Sequence, residues 1–267
     1  MISAGSCWAT ESRVLRHARA LISPGSNQRS RQPQLPRKAR DAFVAFVGMH
    51  ETGRGMRRNP VGHSDISLRD FIEAVGSAEE AHGAVSSAAV AGGLGSSLLL
   101  MVAALPQTRS DSVTDRTTLV ESATALADVQ QQLIETIETE TAVRLFTARS
   151  LPQADEAQRS ERQAAIQLAL RAAADVPLEV MRLCGRGLEV AASVAAHSAR
   201  AASAEVQLGI ALLQAGFSGA RANLEGKLSS FTDAAYLASI VDEVGHLTEE
   251  AAAATHAAES SLKVLPA

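Results

Sequence analysis

Between Glu80 and Arg109 the chain carries no formal charge. The heart of that run, Ala84 to Leu105, consists of Ala, Val, Ser, Gly, Leu and Met alone. Nothing else in the sequence limits the fold as much. A run this long has the length of a membrane span. Four serines and three glycines dilute its hydropathy, however, and Arg109 is its one flanking anchor. The favoured reading is a helix buried on nearly all sides. Ala84, Ala88, Gly92 and Ser96 recur every fourth residue and form a ridge of small side chains, with Ala91 and Gly95 beside it. Such a ridge lets a second helix backbone come close. Glycine inside a helix costs about 1 kcal/mol against alanine, so its presence there asks for a packing reason. Leu98, Leu99, Met101, Val102 and Leu105 supply the bulky end. The run reads as the central helix of an all-helical bundle.

Composition agrees. Aromatic residues make up 3% of 267, while Ala, Leu, Glu and Gln abound, which favours helix over sheet. Two cysteines, Cys7 and Cys184, make no disulfide framework and suit a reducing, cytoplasmic compartment. The net charge of −4 is unevenly placed. Residues 1–64 hold 11 Lys/Arg against 3 Asp/Glu, a balance of +8, and residues 65–267 hold 14 against 26, a balance of −12. An acidic body with few aromatics is a poor nucleic-acid surface.

Residues 1–64 are breaker-rich, basic and without sustained periodicity. They read as a disordered leader or as sequence upstream of a later start at Met49 or Met56. The body, 65–267, reads as one helical domain. Ser67 and Asp70 make an N-cap arrangement for a short helix, Leu68 to Val75, with Phe71, Ile72 and Val75 facing the core. After the central helix, Pro106 stops the chain and a polar loop carries Arg109. A long helix follows, about Arg116 to Arg149, with Leu119, Leu126 and Leu133 along its seam. Helices are then expected over Glu156 to Ala174, and, after a kink or restart at Val176-Pro177, over Leu178 to about Ser198. Two more run from Ala202 to about Leu228 and from Asp233 to about Ser261. The expected fold is all-α, an up-and-down bundle of long helices. Phosphate-loop, paired-cysteine, His-Glu-x-x-His and nucleophile-elbow patterns are absent, and no metal site is expected.

Several short segments follow one another along the body, with no internal repeat. His82-Gly83-Ala84-Val85-Ser86 opens the small-residue helix, and Met101-Val102-Ala103 closes it. Glu138-Thr139-Glu140-Thr141 lies late in the long helix. Leu151-Pro152, Gln163 to Gln167 and Val176-Pro177-Leu178-Glu179 follow, then Ala204-Glu205 and, eighteen residues after Glu205, Asn223 to Leu228. In order and spacing, residues 66–250 resemble the formiminotetrahydrofolate cyclodeaminase and methenyltetrahydrofolate cyclohydrolase family. That family has Pro-Gly-Gly-Gly-Ser at the first segment and Asp-x-Asp-Ala at the third. Here Ala84 and Val85 stand for two loop glycines, Ala104 for an asparagine, Glu140 and Glu205 for aspartates, and Lys227 for a second late asparagine.

The resemblance implies chemistry on the one-carbon unit held between two nitrogens of tetrahydrofolate, with no bound cofactor and in a homodimer, without nucleic acid or membrane as partner. Both family reactions pass through a tetrahedral carbon beside a delocalised cation. A carboxylate stabilises such a cation and takes a proton from attacking water. Glu140 is the first candidate by register, and Glu138 and Glu205 follow. On the residues alone, Glu140 reads rather as a solvated carboxylate paired with Arg144 one turn on, and the family register brings the two readings level. Gly83 and Ser86 stand at the helix start, where free amides hold polar groups. Asn223 suits the pterin edge, and Arg109 and Lys227 the glutamate tail. Val85 is expected to narrow the approach to this loop. The alternative is a non-catalytic folate-binding or structural paralogue.

Overall fold

The computed structural model describes residues 66–77, 83–105, 113–150 and 159–264. The basic leader, His82, Arg109 and Leu151-Pro152 lie outside them. Among the described residues there is no strand. Helix α1 spans Leu68–Gly76, α2 Ala84–Ala104, α3 Val113–Ser150, α4 Arg159–His197, α5 Ser203–Glu225 and α6 Ala234–Val264. Short 3-10 turns, Arg200–Ala202 and Leu228–Ser230, flank α5.

Ser67 caps α1 as its sequence predicts: its hydroxyl accepts from the Asp70 amide at 3.1 Å. The expected core face is corrected, because only Phe71 is buried, while Ile72 is 61% exposed and Leu68 and Val75 are exposed too.

Contacts along the helices fix their directions. Gly92 of α2 lies against Leu133 of α3, and Gln130 of α3 donates to Ser97 of α2, so α2 and α3 run antiparallel. Arg186 of α4 reaches Gln132 of α3 at 3.0 Å, and His197 reaches Asp115 at 3.9 Å, so α4 reverses again. Gly187 of α4 meets Leu213 of α5, while Lys227 just past α5 returns to Ala173. Arg171–Asp233 and Arg182–Glu243 tie α6 parallel to α4. The order is strictly up and down, and α5 closes the bundle against α2.

The core is aliphatic. Leu99, Leu119, Leu126, Leu133, Met181, Leu183, Leu188 and Leu213 are fully buried or nearly so. The small-residue ridge meets α5. A methyl group added at Gly95 would sit 2.7 Å from the Gly209 carbonyl oxygen, and one at Gly216 would sit 2.7 Å from that of Ala88. Cys184 fills the notch between Gly92 and Gly216 with its sulfur. Burial pushes its thiol up to about 12, which keeps it an uncharged core residue.

Two expectations change. First, α2 is not buried on all sides: Leu94 and Met101 are 52% and 44% exposed. It is the one helix, among the described residues, long and apolar enough to cross a membrane, yet it packs against α3, α4 and α5. Second, Pro177 does not divide two helices, and α4 runs through it unbroken. The ring fixes φ at a value that a helix accepts. What proline removes is the N–H that would bond the carbonyl four residues back. That carbonyl belongs to Ala173, and another group takes it.

Candidate functional site

The strand order of a sheet has no counterpart here; alternation alone gathers the site. The start of α2, the late part of α3, the middle of α4 and the end of α5 all reach one end of the bundle.

At that end Gly83 caps α2 without a side chain, with φ −63° and ψ 143°. That is ordinary extended backbone, open to any residue. What a side chain here would meet is Glu140: a methyl group would lie 2.5 Å from its Oε1, so glycine lets the carboxylate rest where it does. The other carboxylate oxygen of Glu140, Oε2, accepts from the Ser86 hydroxyl at 2.9 Å. Ser86 is itself buried. Glu140 therefore lies across the first turn of α2, where the helix dipole favours a negative charge. It does not behave as a purely solvated carboxylate. Val85, expected to narrow the approach to this loop, turns inward to the core and is 2% exposed.

Lys227 joins this group. Its ammonium donates to the Ala173 carbonyl at 3.0 Å, the oxygen that Pro177 leaves without its helical partner. Burial lowers the pKa of Lys227, and the negative charge of Glu140 opposes part of that shift. The two charges sense each other, while the short hydrogen bond of the lysine goes to the backbone. Asn223 is one turn beyond Gly219, which packs on Ala88, and so lies level with the start of α2. Its side-chain oxygen is buried without a hydrogen-bond donor.

Gly83, Ser86, Glu140, Lys227 and Asn223 are thus brought to one end. Glu138 is half-buried on α3, roughly 200° around the helix from Glu140. Glu205 is not brought there: it lies in the first turn of α5, roughly 27 Å from Asn223 along the helix. One of its carboxylate oxygens is buried and unpaired. Ala104 shares that far end of the bundle. Arg109 lies outside the described residues.

Sequence reasoning missed the polar layer beside Lys227. Tyr236 donates to Asp175 at 3.3 Å, Arg171 pairs with Asp233 at 2.6 Å, and the Arg171 guanidinium stacks 4.8 Å over the Tyr236 ring. Burial, then the nearby Asp175 carboxylate, pushes the Tyr236 phenol up and keeps it a donor. Two turns beyond Asp175 along α4, Arg182 bridges buried Glu179 to Glu243. These groups are spread over 73 residues of sequence from Arg171 to Glu243, and no local spacing announces them.

The formiminotransferase-cyclodeaminase family model matches residues 67–246. The chain belongs to that family. Formiminotetrahydrofolate cyclodeaminase from Thermotoga maritima has a similar fold, with a TM-score of 0.66 at 16% identity, over 74% of this chain and 96% of that one. No curated protein matches. The matched span contains every residue of the Glu140 cluster: Gly83, Ser86, Glu140, Asn223 and Lys227.

Proposed function

We propose that this chain acts on the one-carbon unit of tetrahydrofolate, by hydrolysis of 5,10-methenyltetrahydrofolate to 10-formyltetrahydrofolate or by the related cyclodeamination of formiminotetrahydrofolate. One observation carries the proposal. The Glu140 carboxylate is held by Ser86 across the start of α2, fixed in place and able to face a ligand.

A fixed carboxylate supplies what the hydrolysis needs. It stabilises the delocalised methenyl cation and accepts a proton from the water that adds to it. The unpaired side-chain oxygen of Asn223 suits an N–H donor on the pterin edge, because a buried acceptor without a donor costs about 1–3 kcal/mol. This chemistry calls for no metal. The proposal includes a cytoplasmic homodimer, for which the uncovered face of α2 at Leu94 and Met101 offers apolar surface. The alternative, a non-catalytic paralogue, is supported by Ala84 and Val85, at the start of α2, standing where the family has loop glycines.

The test is turnover of 5,10-methenyltetrahydrofolate by the purified full chain, followed by loss of its absorbance, beside Glu140→Gln. The amide keeps the shape and the Ser86 contact but takes no proton. We expect enzyme-dependent hydrolysis that falls about a hundredfold or more in the variant. Unchanged turnover in Glu140→Gln moves the chemistry elsewhere. Folate binding with no turnover of either substrate selects the non-catalytic reading.

A further inference from the structure

Lys227 has more to do than its sequence position suggests. Four observations meet on it. It follows the end of α5, yet its ammonium reaches across to α4 and donates to the Ala173 carbonyl at 3.0 Å. That carbonyl is open because the residue four positions on is Pro177, which has no N–H to give. The field of Glu140 reaches the ammonium. Finally, the charged residues that flank Ala173 in sequence, and the acid two residues before the lysine, are already committed. On α4 and α6, Arg171 pairs with Asp233 and Asp175 with Tyr236. On α5, Glu225 pairs with Arg221. Ser86 and Asn223, facing from α2 and α5, are neutral. An ammonium has three N–H bonds, and the carbonyl takes one.

We propose that Lys227 is the proton donor to the leaving nitrogen, and that Pro177 is a positioning residue that frees the carbonyl on which the ammonium rests. This rests on the folate reading above. Water adds to the methenyl carbon, forming a C–O bond, and gives one proton to Glu140. The carbon–N5 bond then breaks, and its electron pair on N5 takes a proton from the Lys227 ammonium. The hydroxyl proton passes to the lysine amine as the formyl C=O forms, restoring the ammonium. Glu140 releases its proton to solvent, which matches the overall loss of one proton. The carboxylate and the ammonium thus hold opposite proton duties within one site, each set by its surroundings. Burial works in the same direction, since it weakens the hold of the ammonium on its proton.

Lys227→Arg and Pro177→Ala test this in the full chain. Arginine keeps the positive charge and a donor for Ala173 but does not give up its proton. Alanine at 177 returns an N–H to the Ala173 carbonyl, which then competes with the lysine. We expect Lys227→Arg to lower kcat about a hundredfold or more with KM within about threefold, and to lose the alkaline limb of the kcat–pH profile. That limb reports deprotonation of the ammonium. We expect Pro177→Ala to lower kcat about tenfold with no loss of thermal stability, because proline is the least favourable residue inside a helix. A role in charge or packing alone predicts rescue by arginine. Wild-type kcat and an unchanged alkaline limb in Lys227→Arg, beside an active wild type, overturn the proton-donor role and leave the folate reading intact. An inactive wild type overturns both.

Discussion

At the scale of single residues, the most informative contact is between a residue with no side chain and a carboxylate. Gly83 has an ordinary backbone conformation, so alanine is tolerated there as far as the chain itself is concerned. Its methyl group would nevertheless fall 2.5 Å from Oε1 of Glu140. The carboxylate is the end of a flexible side chain, so it moves and the helix stays. Gly83→Ala should therefore leave the melting temperature within a few degrees and lower kcat about a hundredfold, the effect of a displacement near 1 Å. Melting curves and the absorbance assay, read side by side, check it. A loss of stability without loss of turnover would make Gly83 a packing residue. Much of this group was legible in the sequence. Gly83, Ser86 and Glu140 are found by register against a family pattern, and the structure puts them in contact. Lys227 suited the glutamate tail by sequence, which carried no sign that its ammonium would sense Glu140. Its place beside Glu140 depends on how α5 ends relative to α3 and α4, which no local spacing encodes. The inward turn of Val85 was hidden for a similar reason, since the facing core decides it.

At the scale of elements, the glycines of α2 are not equivalent. Gly95 faces the Gly209 carbonyl of α5, whereas an added methyl at Gly93 meets nothing within 4 Å. Alanine favours the helix at both positions, and only at Gly95 does it collide with backbone. Gly95→Ala should destabilise the chain by about 1–3 kcal/mol through overpacking. Gly93→Ala should stabilise it by about 0.5–1 kcal/mol. Denaturant unfolding of the two variants measures both, and equal effects would mean that α2 and α5 do not approach as closely as described. Four-residue spacing made this ridge legible, although it did not reveal which helix would meet it. Pro177 shows the opposite case. Local rules read it as a break, because they assume that a carbonyl without its partner stays unsatisfied. Lys227, fifty residues on in sequence, supplies the partner, and α4 continues.

At the scale of the whole molecule, alternation of long helices is what makes a site. Alternate reversals return the chain to the same end, so residues near 83, 140, 173 and 227 meet there. Periodicity and composition predicted that alternation. The one helix they gave over Glu205 and Asn223 holds those residues, eighteen apart, at opposite ends. Gathering charge into a packed end has a consequence for global stability. In the unfolded chain Lys227 titrates near its ordinary value of 10.5; in the folded chain burial lowers it, and Glu140 offsets only part of the shift. Below the lowered value both states carry the proton, and the folded state bears the penalty of a buried ammonium. Between that value and 10.5 the folded chain has released the proton while the unfolded chain still binds it. Stability contributed at this position therefore rises with pH across that window. Lys227→Met has no such group. The stability of the wild type relative to Lys227→Met should grow in favour of the wild type as the pH is raised from about 7.5 to about 10. Paired melts across that range measure it, with the variant cancelling every other titration in the molecule. A difference that stays flat would mean that the lysine is solvated and titrates alike in both states, and a difference that shrinks would mean that its partnership with Glu140 outweighs its burial.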